Sequence, residues 1–216
     1  MKLSRFATGL AAIAIALAPA SALALDGSGT QKTEVRTLTT FTSVECDGAL
    51  DLNVTCGKTL HCEVTADDNL LPVIATTVEG GTLKIHATES ISTRTGITVT
   101  LDTPDVSAVK LSGAGTVKVN GLKNDAFELG LSGTAHVIAA GQTKKLKIGL
   151  SGAGKIDADG LATDDADVDC SGAGAVDVHV SGTLNAKVSG VGKVMYGGSP
   201  KTVNKDVSGV GSIGPR

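Results

Sequence analysis

The sequence predicts an all-β protein whose fold is a right-handed parallel β-helix. Its main evidence is a Ser-Gly signature that occurs six times in the second half of the chain, as LSGAG at 111, LSGTA at 131, LSGAG at 150, CSGAG at 170, VSGVG at 188 and VSGVG at 207. Successive copies are 20, 19, 20, 18 and 19 residues apart. Two or three short strands and their corners use up such a period, so each copy is one turn of a solenoid of about 19–20 residues per turn. Crossovers between parallel strands are overwhelmingly right-handed, and we expect three sides, with a two-sided solenoid as the main alternative.

Alignment of the six copies on their serines gives the second observation, since a parallel stack must place similar residues in vertical columns. The residue before each serine is apolar: Leu111, Leu131, Leu150, Cys170, Val188 and Val207. The fifth residue after it is also apolar: Val117, Val137, Ile156, Val176, Val194 and Ile213. The residue directly after the serine is always glycine, as expected where a corner needs positive φ or where two walls approach too closely for a Cβ.

The composition is the third observation. Only 2% of the 216 residues are aromatic and none is Trp, which fits a thin aliphatic interior. It also argues against stacking platforms for sugars or unpaired bases. The formal net charge of −3 offers no basic surface to phosphates, so nucleic acid is not an expected partner.

The N-terminus has the pattern of a secretory signal peptide, predicted at residues 1–24. A cationic start, MKLSR, precedes an apolar run and the small residues Ala20, Ala22 and Ala24. Cleavage can follow Ala22 or Ala24, and we favour Ala24. We therefore expect an exported protein without a transmembrane segment in its mature chain, located in the periplasm, at the cell surface or outside a Gram-negative bacterium.

The residues between the leader and the repeats fall into two parts. Residues 25–38 mix Gly, Ser, Thr and charge without apolar periodicity, which predicts a flexible leader. Residues 39–110 alternate apolar and polar positions, as in ALDLNVTCG, and are expected to form N-terminal strands joined by short turns. The repeats then occupy residues 111–216.

Four cysteines in an exported chain suggest oxidation. Cys170 occupies a column otherwise held by Leu or Val, so we expect it to be a buried free thiol. Cys56 and Cys62 flank a short turn and share the inward parity of their strands, and we predict a disulfide between them. Cys46 is left without a partner.

The chain resembles the auto-transporter adhesin head GIN domain family over residues 39–216. The resemblance rests on FTSVECDGALDLNVTCG, ITVTLDTPDVSAVKLSGAG, the SGAG turns and the ending VMYGGSPKTVNKDVSGVGSI. It implies a single β-helical domain of exported bacterial proteins and brings no catalytic residues with it.

The sequence contains none of the complete catalytic or cofactor-binding motifs considered next. The G-x-S-x-G pattern lacks its last glycine around Ser132 and Ser151, and the four histidines have no metal-ligand spacing. The G-x-G starts are followed by a predicted strand, so a dinucleotide would have no helix terminus to bind. We therefore assign no catalytic or cofactor-binding residue.

Two successive turns bring one candidate metal site to the surface. The sixth residues after their serines are Asp157 and Asp177, and the eighth are Asp159 and His179. Stacked strands place like positions about 4.8 Å apart, so Asp157 and Asp177 are forced side by side, where a divalent cation would relieve their repulsion. The alternative is a solvated acidic face, with partial relief from a nearby lysine.

The sequence thus favours an exported, non-catalytic module that acts as a structural or adhesive domain of the cell envelope. Its partner would be an envelope protein or a glycan. The alternative is a polysaccharide-active enzyme, a lyase or a hydrolase, because parallel β-helices also host such activities. Turns of 18 to 20 residues leave no long loops to build a catalytic groove.

Overall fold

The computed structural model describes residues 24–216, which form β-strands and one 3-10 turn. The predicted signal peptide lies outside this range except for its last residue. Within the described range no helix is long and apolar enough to cross a membrane.

Nine strands precede the repeats, and a 3-10 turn at Leu71–Val73 lies among them. Their bounds are β1 Leu25–Asp26, β2 Gln31–Val35, β3 Ser43–Ala49, β4 Asp51–Cys56, β5 His61–Asp67, β6 Ile74–Glu79, β7 Thr82–Ala87, β8 Ile91–Ser92 and β9 Thr98–Thr103.

The repeats contribute the remaining strands, and together with the N-terminal turns they build a β-solenoid of about five turns. Their bounds are β10 Ala108–Leu131, β11 Thr134–Leu150, β12 Lys155–Cys170, β13 Ala175–Val180, β14 Thr183–Val188, β15 Lys193–Gly198, β16 Thr202–Val207 and β17 Ser212–Pro215.

Strand register confirms the predicted columns. The column five residues after the serine pairs residue by residue through six turns: Val117, Val137, Ile156, Val176, Val194 and Ile213. The column before the serine does the same from Leu131 to Val207, and at its N-terminal end Leu111 pairs with Cys46. Because the neighbouring strands in these columns are parallel and in register, successive turns differ in length by at most two residues.

Paired segments divide each turn, as the first two repeat strands show, where one division is a register shift between Val119 and Leu122 and the other is a single unpaired residue. Between β10 and β11 the partners run over 114–119, 122–124 and 126–131 of β10. Buried threonines occupy one corner between segments: the hydroxyls of Thr103, Thr143 and Thr163 donate to the carbonyl two residues further along the chain, at 3.1, 3.3 and 3.3 Å. This side-chain bond satisfies a backbone acceptor where the ladder bends.

The glycine column results from close approach of successive turns. A Cβ on Gly152 would overlap the carbonyl oxygen of Gly133, and a Cβ on Gly172 would overlap that of Gly152. Of the six glycines in this column only Gly113 has positive φ. Contact between the walls, and not a left-handed backbone, therefore excludes side chains here.

The N-terminal end of the solenoid is closed by antiparallel strands. The strand β5 pairs antiparallel with β9, β2 pairs antiparallel with β5, and β6 pairs antiparallel with β7. The prediction of a flexible leader at 25–38 is wrong, because β2 forms the outer strand of this cap and β1 pairs with β8. Backbone pairing with distant residues orders a segment that lacks apolar periodicity of its own.

A buried carboxylate fastens this N-terminal segment to the cap. Asp67 is fully buried; it accepts hydrogen bonds from the hydroxyl of Thr93 and, at 3.0 Å, from the backbone N–H of Gly29. The hydrogen bond from the Thr93 hydroxyl has the largest effect on the pKa of Asp67 and lowers it, and the bonds from Thr95 and the Gly29 N–H lower it further. Burial by itself would raise this pKa, but the hydrogen bonds keep it below its ordinary value.

We expect Asp67→Asn to be less stable than the parent at pH 7, with the difference shrinking as the solution is acidified. The folded pKa lies below the unfolded one, so the stabilisation is full above the unfolded pKa and is lost as pH falls through the folded pKa. Thermal melts at pH 7 and pH 3 measure this, with the exposed Glu89→Gln as control. An equal deficit at both pH values would contradict the role of the charge.

The predicted disulfide between Cys56 and Cys62 is wrong: all four cysteines are free and buried. The strand order places β9 between β4 and β5, and Cys56 pairs with Thr103 while Cys62 pairs with Leu101. Two strand spacings are about 9.6 Å, beyond the reach of a disulfide. Cys170 is fully buried in its predicted column.

We expect no thiol of the folded protein to react with an aromatic disulfide reagent at pH 8, and all four to react after unfolding. Burial raises the pKa of Cys46 to about 12 and the pKa of both Cys56 and Cys62 to about 11, so the thiolate is scarce. Release of only two thiol equivalents from the unfolded, unreduced protein would contradict this result.

A lysine and the single tyrosine close the other end of the core. Lys205 pairs with Ala186, so it continues an interior column of the solenoid. Its ammonium lies 5.2 Å from the centre of the Tyr196 ring and donates to the carbonyl of Ile213 at 3.2 Å. An inward-pointing charge on an end strand discourages the addition of a further strand.

Candidate functional site

A groove of about 830 Å³ runs along the solenoid beside the Ser-Gly corner. It crosses successive turns from the N-terminal strands β3 and β7 to the start of the corner after β14. One wall carries serines from five consecutive turns: Ser112, Ser132, Ser151, Ser171 and Ser189.

The serine hydroxyls of this wall are largely free for a ligand. Their backbone N–H groups bond the preceding turn, as in Ser132 to Leu111 and Ser151 to Leu131, both at 2.9 Å. Within residues 24–216, only Ser171 of the five uses its hydroxyl internally, donating to the Leu150 carbonyl at 3.4 Å. None of the five is hydrogen-bonded to a histidine in that range, so the described part of this wall contains no hydrogen-bonded Ser–His pair.

The floor of the groove is a bare stretch of backbone at Gly130 and Gly149, which are paired in register. A Cβ added to Gly149 would meet no atom within 4 Å, and one added to Gly130 would lie 3.2 Å from Cγ of Lys110. Gly149 therefore leaves open space on the outward face, and only the flexible stem of Lys110 approaches Gly130, whereas the glycines of the corner column meet backbone.

Charged side chains lie on both sides of this floor. Lys110 and Asp169 lie on either side of the two glycines, with Glu45 and Lys84 in the turns beyond Lys110. Lys110 is 3.8 Å from Oε1 of Glu128, and Lys147 is 3.9 Å from the same oxygen. The two glycines therefore lie between opposite charges, in a groove that apolar side chains such as Leu131 and Leu150 also line.

The predicted metal site is not formed. Asp157 and Asp177 do pair in register as expected, and Nδ1 of His179 lies 3.7 Å from Oδ1 of Asp159. Yet no group of three or more His, Cys, Asp or Glu residues between 24 and 216 is arranged to hold a metal ion.

Two cations compensate the carboxylates of that patch. Lys155 lies 3.7 Å from Asp157 and 3.4 Å from Asp177. Arg216 pairs with Asp159 and lies 3.7 Å from Asp177. The hydrogen bond that Arg216 donates to Asp159 raises the pKa of Arg216, and the patch is an internally paired surface network.

Sequence reasoning missed the groove. The signal was present, because the second residue before the serine is Lys110, Gly130, Gly149, Asp169, Lys187 and Asp206 in successive turns. Two glycines interrupt an otherwise charged column.

A family model described as "Putative auto-transporter adhesin, head GIN domain" matches residues 40–200. No curated protein matches the chain.

Several solved structures share the fold. A putative adhesin from Bacteroides fragilis is 22% identical with a TM-score of 0.67, and the match covers 89% of this chain and 100% of that one. A putative lipid binding protein from Parabacteroides distasonis is 22% identical with a TM-score of 0.59, over 90% of this chain and 100% of that one. A putative adhesin from Parabacteroides merdae is 22% identical with a TM-score of 0.55, also over 90% and 100%.

Proposed function

The chain belongs to the family described as "Putative auto-transporter adhesin, head GIN domain", and on that premise we propose that it is an exported, non-catalytic binding module of the bacterial cell envelope. Its binding surface is the groove between the serine wall and the floor at Gly130 and Gly149. The observation that carries this proposal is that one continuous groove exposes hydroxyls from five turns beside backbone without side chains. Such a surface suits an extended or flat polar ligand.

The groove is better suited to binding than to turnover. Its carboxylates sit on the exposed side of the strands, with Glu45 and Asp47 two residues apart in β3 and Asp169 several turns away in β12. Glycoside cleavage needs a proton-donating carboxyl of raised pKa opposite a second carboxylate. We therefore place the enzymatic alternative second, and incubation with envelope polysaccharides followed by product analysis would reveal cleavage.

Two ligand classes are open to an envelope adhesin of this shape. One is a glycan or protein of the envelope, held through the serine hydroxyls. The other is a lipid, and one structural neighbour is described as a putative lipid binding protein. Both would need the open floor, so one variant tests the groove for either class.

We expect Gly149→Trp to reduce ligand binding at least about tenfold, because the indole would fill the floor of the groove. The added Cβ has no neighbour within 4 Å, so the fold should be kept. Binding is measured on immobilised envelope polysaccharides and on phospholipid vesicles of phosphatidylethanolamine or phosphatidylglycerol.

Gly214→Trp is a matched control. A Cβ on Gly214 also meets no atom within 4 Å, and this residue lies in β17, outside the groove. Equal binding by both variants and the parent would place the binding surface elsewhere. Absence of binding to every member of the panel would contradict the adhesive role.

A further inference from the structure

The charges along the floor of the groove alternate in sign from turn to turn, with one interruption. The column that includes Gly130 and Gly149 consists, in stacking order, of Lys84, Glu45, Lys110, Gly130, Gly149, Asp169, Lys187 and Asp206. The signs alternate as plus, minus, plus before the glycines and as minus, plus, minus after them. An anion at the first glycine and a cation at the second would complete an unbroken alternation.

Alternation is the favourable arrangement at this spacing. Neighbouring turns are about 4.8 Å apart, so like charges in a column repel and opposite charges attract. The two glycines therefore leave Lys110 and Asp169 each with one neighbour of opposite sign missing. A ligand can supply both.

The residues around the gap show the same imbalance. Glu128, in the turn of Gly130, shares one carboxylate oxygen between Lys110 and Lys147, and Lys147 lies in the turn of Gly149. Asp169 has no ion-pair partner within 4.0 Å among residues 24–216. The gap thus lies between Lys110, whose carboxylate partner is shared with a second lysine, and Asp169, which has no such partner in that range.

The gap also has room and hydrogen-bond donors. The space over Gly149 is open, and the stem of Lys110 leans over Gly130. Ser132 and Ser151 line the groove in the two turns to which the glycines belong, and neither hydroxyl is used internally within the described range. These hydroxyls can donate to the oxygens of an anion beside Lys110.

We propose that the groove binds a short zwitterion of the phosphoethanolamine type. The phosphate lies over Gly130 beside Lys110, and the ammonium lies over Gly149 beside Asp169. Two carbon atoms between the phosphate oxygen and the amine give a charge separation of about one strand spacing, ~4.8 Å. This deepens the proposed function by naming the ligand class, and it rests on the groove being the binding surface.

Soluble O-phosphoethanolamine is the first probe, titrated into the protein and followed by amide NMR. We expect saturable shifts at Gly130, Gly149 and Asp169, weakened by added salt because the contacts are exposed ion pairs. Asp169→Asn should weaken phosphoethanolamine about fivefold, as expected for one exposed ion pair, and leave inorganic phosphate unchanged. Equal losses for both ligands, or no loss for either, would overturn the assignment of the ammonium to Asp169.

A second variant completes the column from within the protein. Gly130→Glu combined with Gly149→Lys supplies the missing anion and cation, and it should abolish phosphoethanolamine binding without lowering the melting temperature. Phosphoethanolamine binding by this doubly substituted protein at parental affinity would exclude the gap as the site.

Vesicles distinguish a lipid headgroup from a free or glycan-borne phosphoethanolamine. If the source is lipid, phosphatidylethanolamine vesicles bind, phosphatidylglycerol vesicles do not, and soluble O-phosphoethanolamine competes. Binding of the soluble probe without vesicle binding supports a non-lipid source of the same group. If the soluble probe does not bind while Gly149→Trp still abolishes capture of a polysaccharide, the zwitterion is wrong and the groove function stands.

Discussion

Gly152→Val is expected to destabilise the protein by at least about 4 kcal/mol or to prevent folding. The added Cβ would overlap the carbonyl oxygen of Gly133 in the turn below. That oxygen accepts the backbone N–H of Ala153 at 2.9 Å, so it cannot move aside without breaking the ladder between turns. Flexible side chains can yield to a new methyl group, but a backbone carbonyl in a stacked sheet cannot.

Gly149→Val is the matched control, since the same substitution three residues earlier meets no atom within 4 Å. Valine also favours a strand, so we expect a change of less than about 0.5 kcal/mol in either direction. Chemical denaturation with the same probe measures both variants. Similar midpoints for the two would show that the turns do not approach as closely as the register requires.

Ile156→Ala is expected to lower the free energy of unfolding by about 2–4 kcal/mol. Ile156 is fully buried and stacks between Val137 and Val176, so truncation leaves a cavity that turns on both sides border. Because a solenoid has contacts only between neighbouring turns, a weak turn also weakens the coupling of the two halves. Denaturant melts should show a lower midpoint, with a broadened transition if the halves uncouple.

Lys118→Ala is the control for this variant. Lys118 is exposed two turns away, next to Val117 of the same column as Ile156. We expect a change within about 0.5 kcal/mol. A lysine variant as unstable as the isoleucine variant would contradict the assignment of the interior.

The repeat architecture could be predicted because a parallel stack imposes one residue type on each vertical position. Every member of the column from Val117 to Ile213 pairs as the alignment on the serines requires. The spacing of the signature alone was sufficient for this. The N-terminal cap has antiparallel pairing and no repeat, and there the same reasoning failed for residues 25–38.

The site was less accessible to sequence reasoning. Stacking correctly placed Asp157 beside Asp177, but the sequence did not show that Lys155 and Arg216 pair with the carboxylates of the patch. Arg216 is 39 residues from Asp177 in the sequence, and no local pattern indicates their contact. In the sequence, the groove is visible only as two glycines in an otherwise charged column. Nothing in the sequence indicates that a groove lies above them.

The sequence by itself determined the period, the strand polarity and the identity of the interior, because these depend on regular spacing between similar residues. Only the tertiary structure decided which strands become neighbours where the spacing is irregular. The insertion of β9 between β4 and β5 separates Cys56 from Cys62, and it arises from pairing between residues 47 apart in the sequence. The tertiary structure likewise decided that no side chain fits at Gly152, whereas Gly149 faces open space. This difference depends on the distance between the backbones of successive turns.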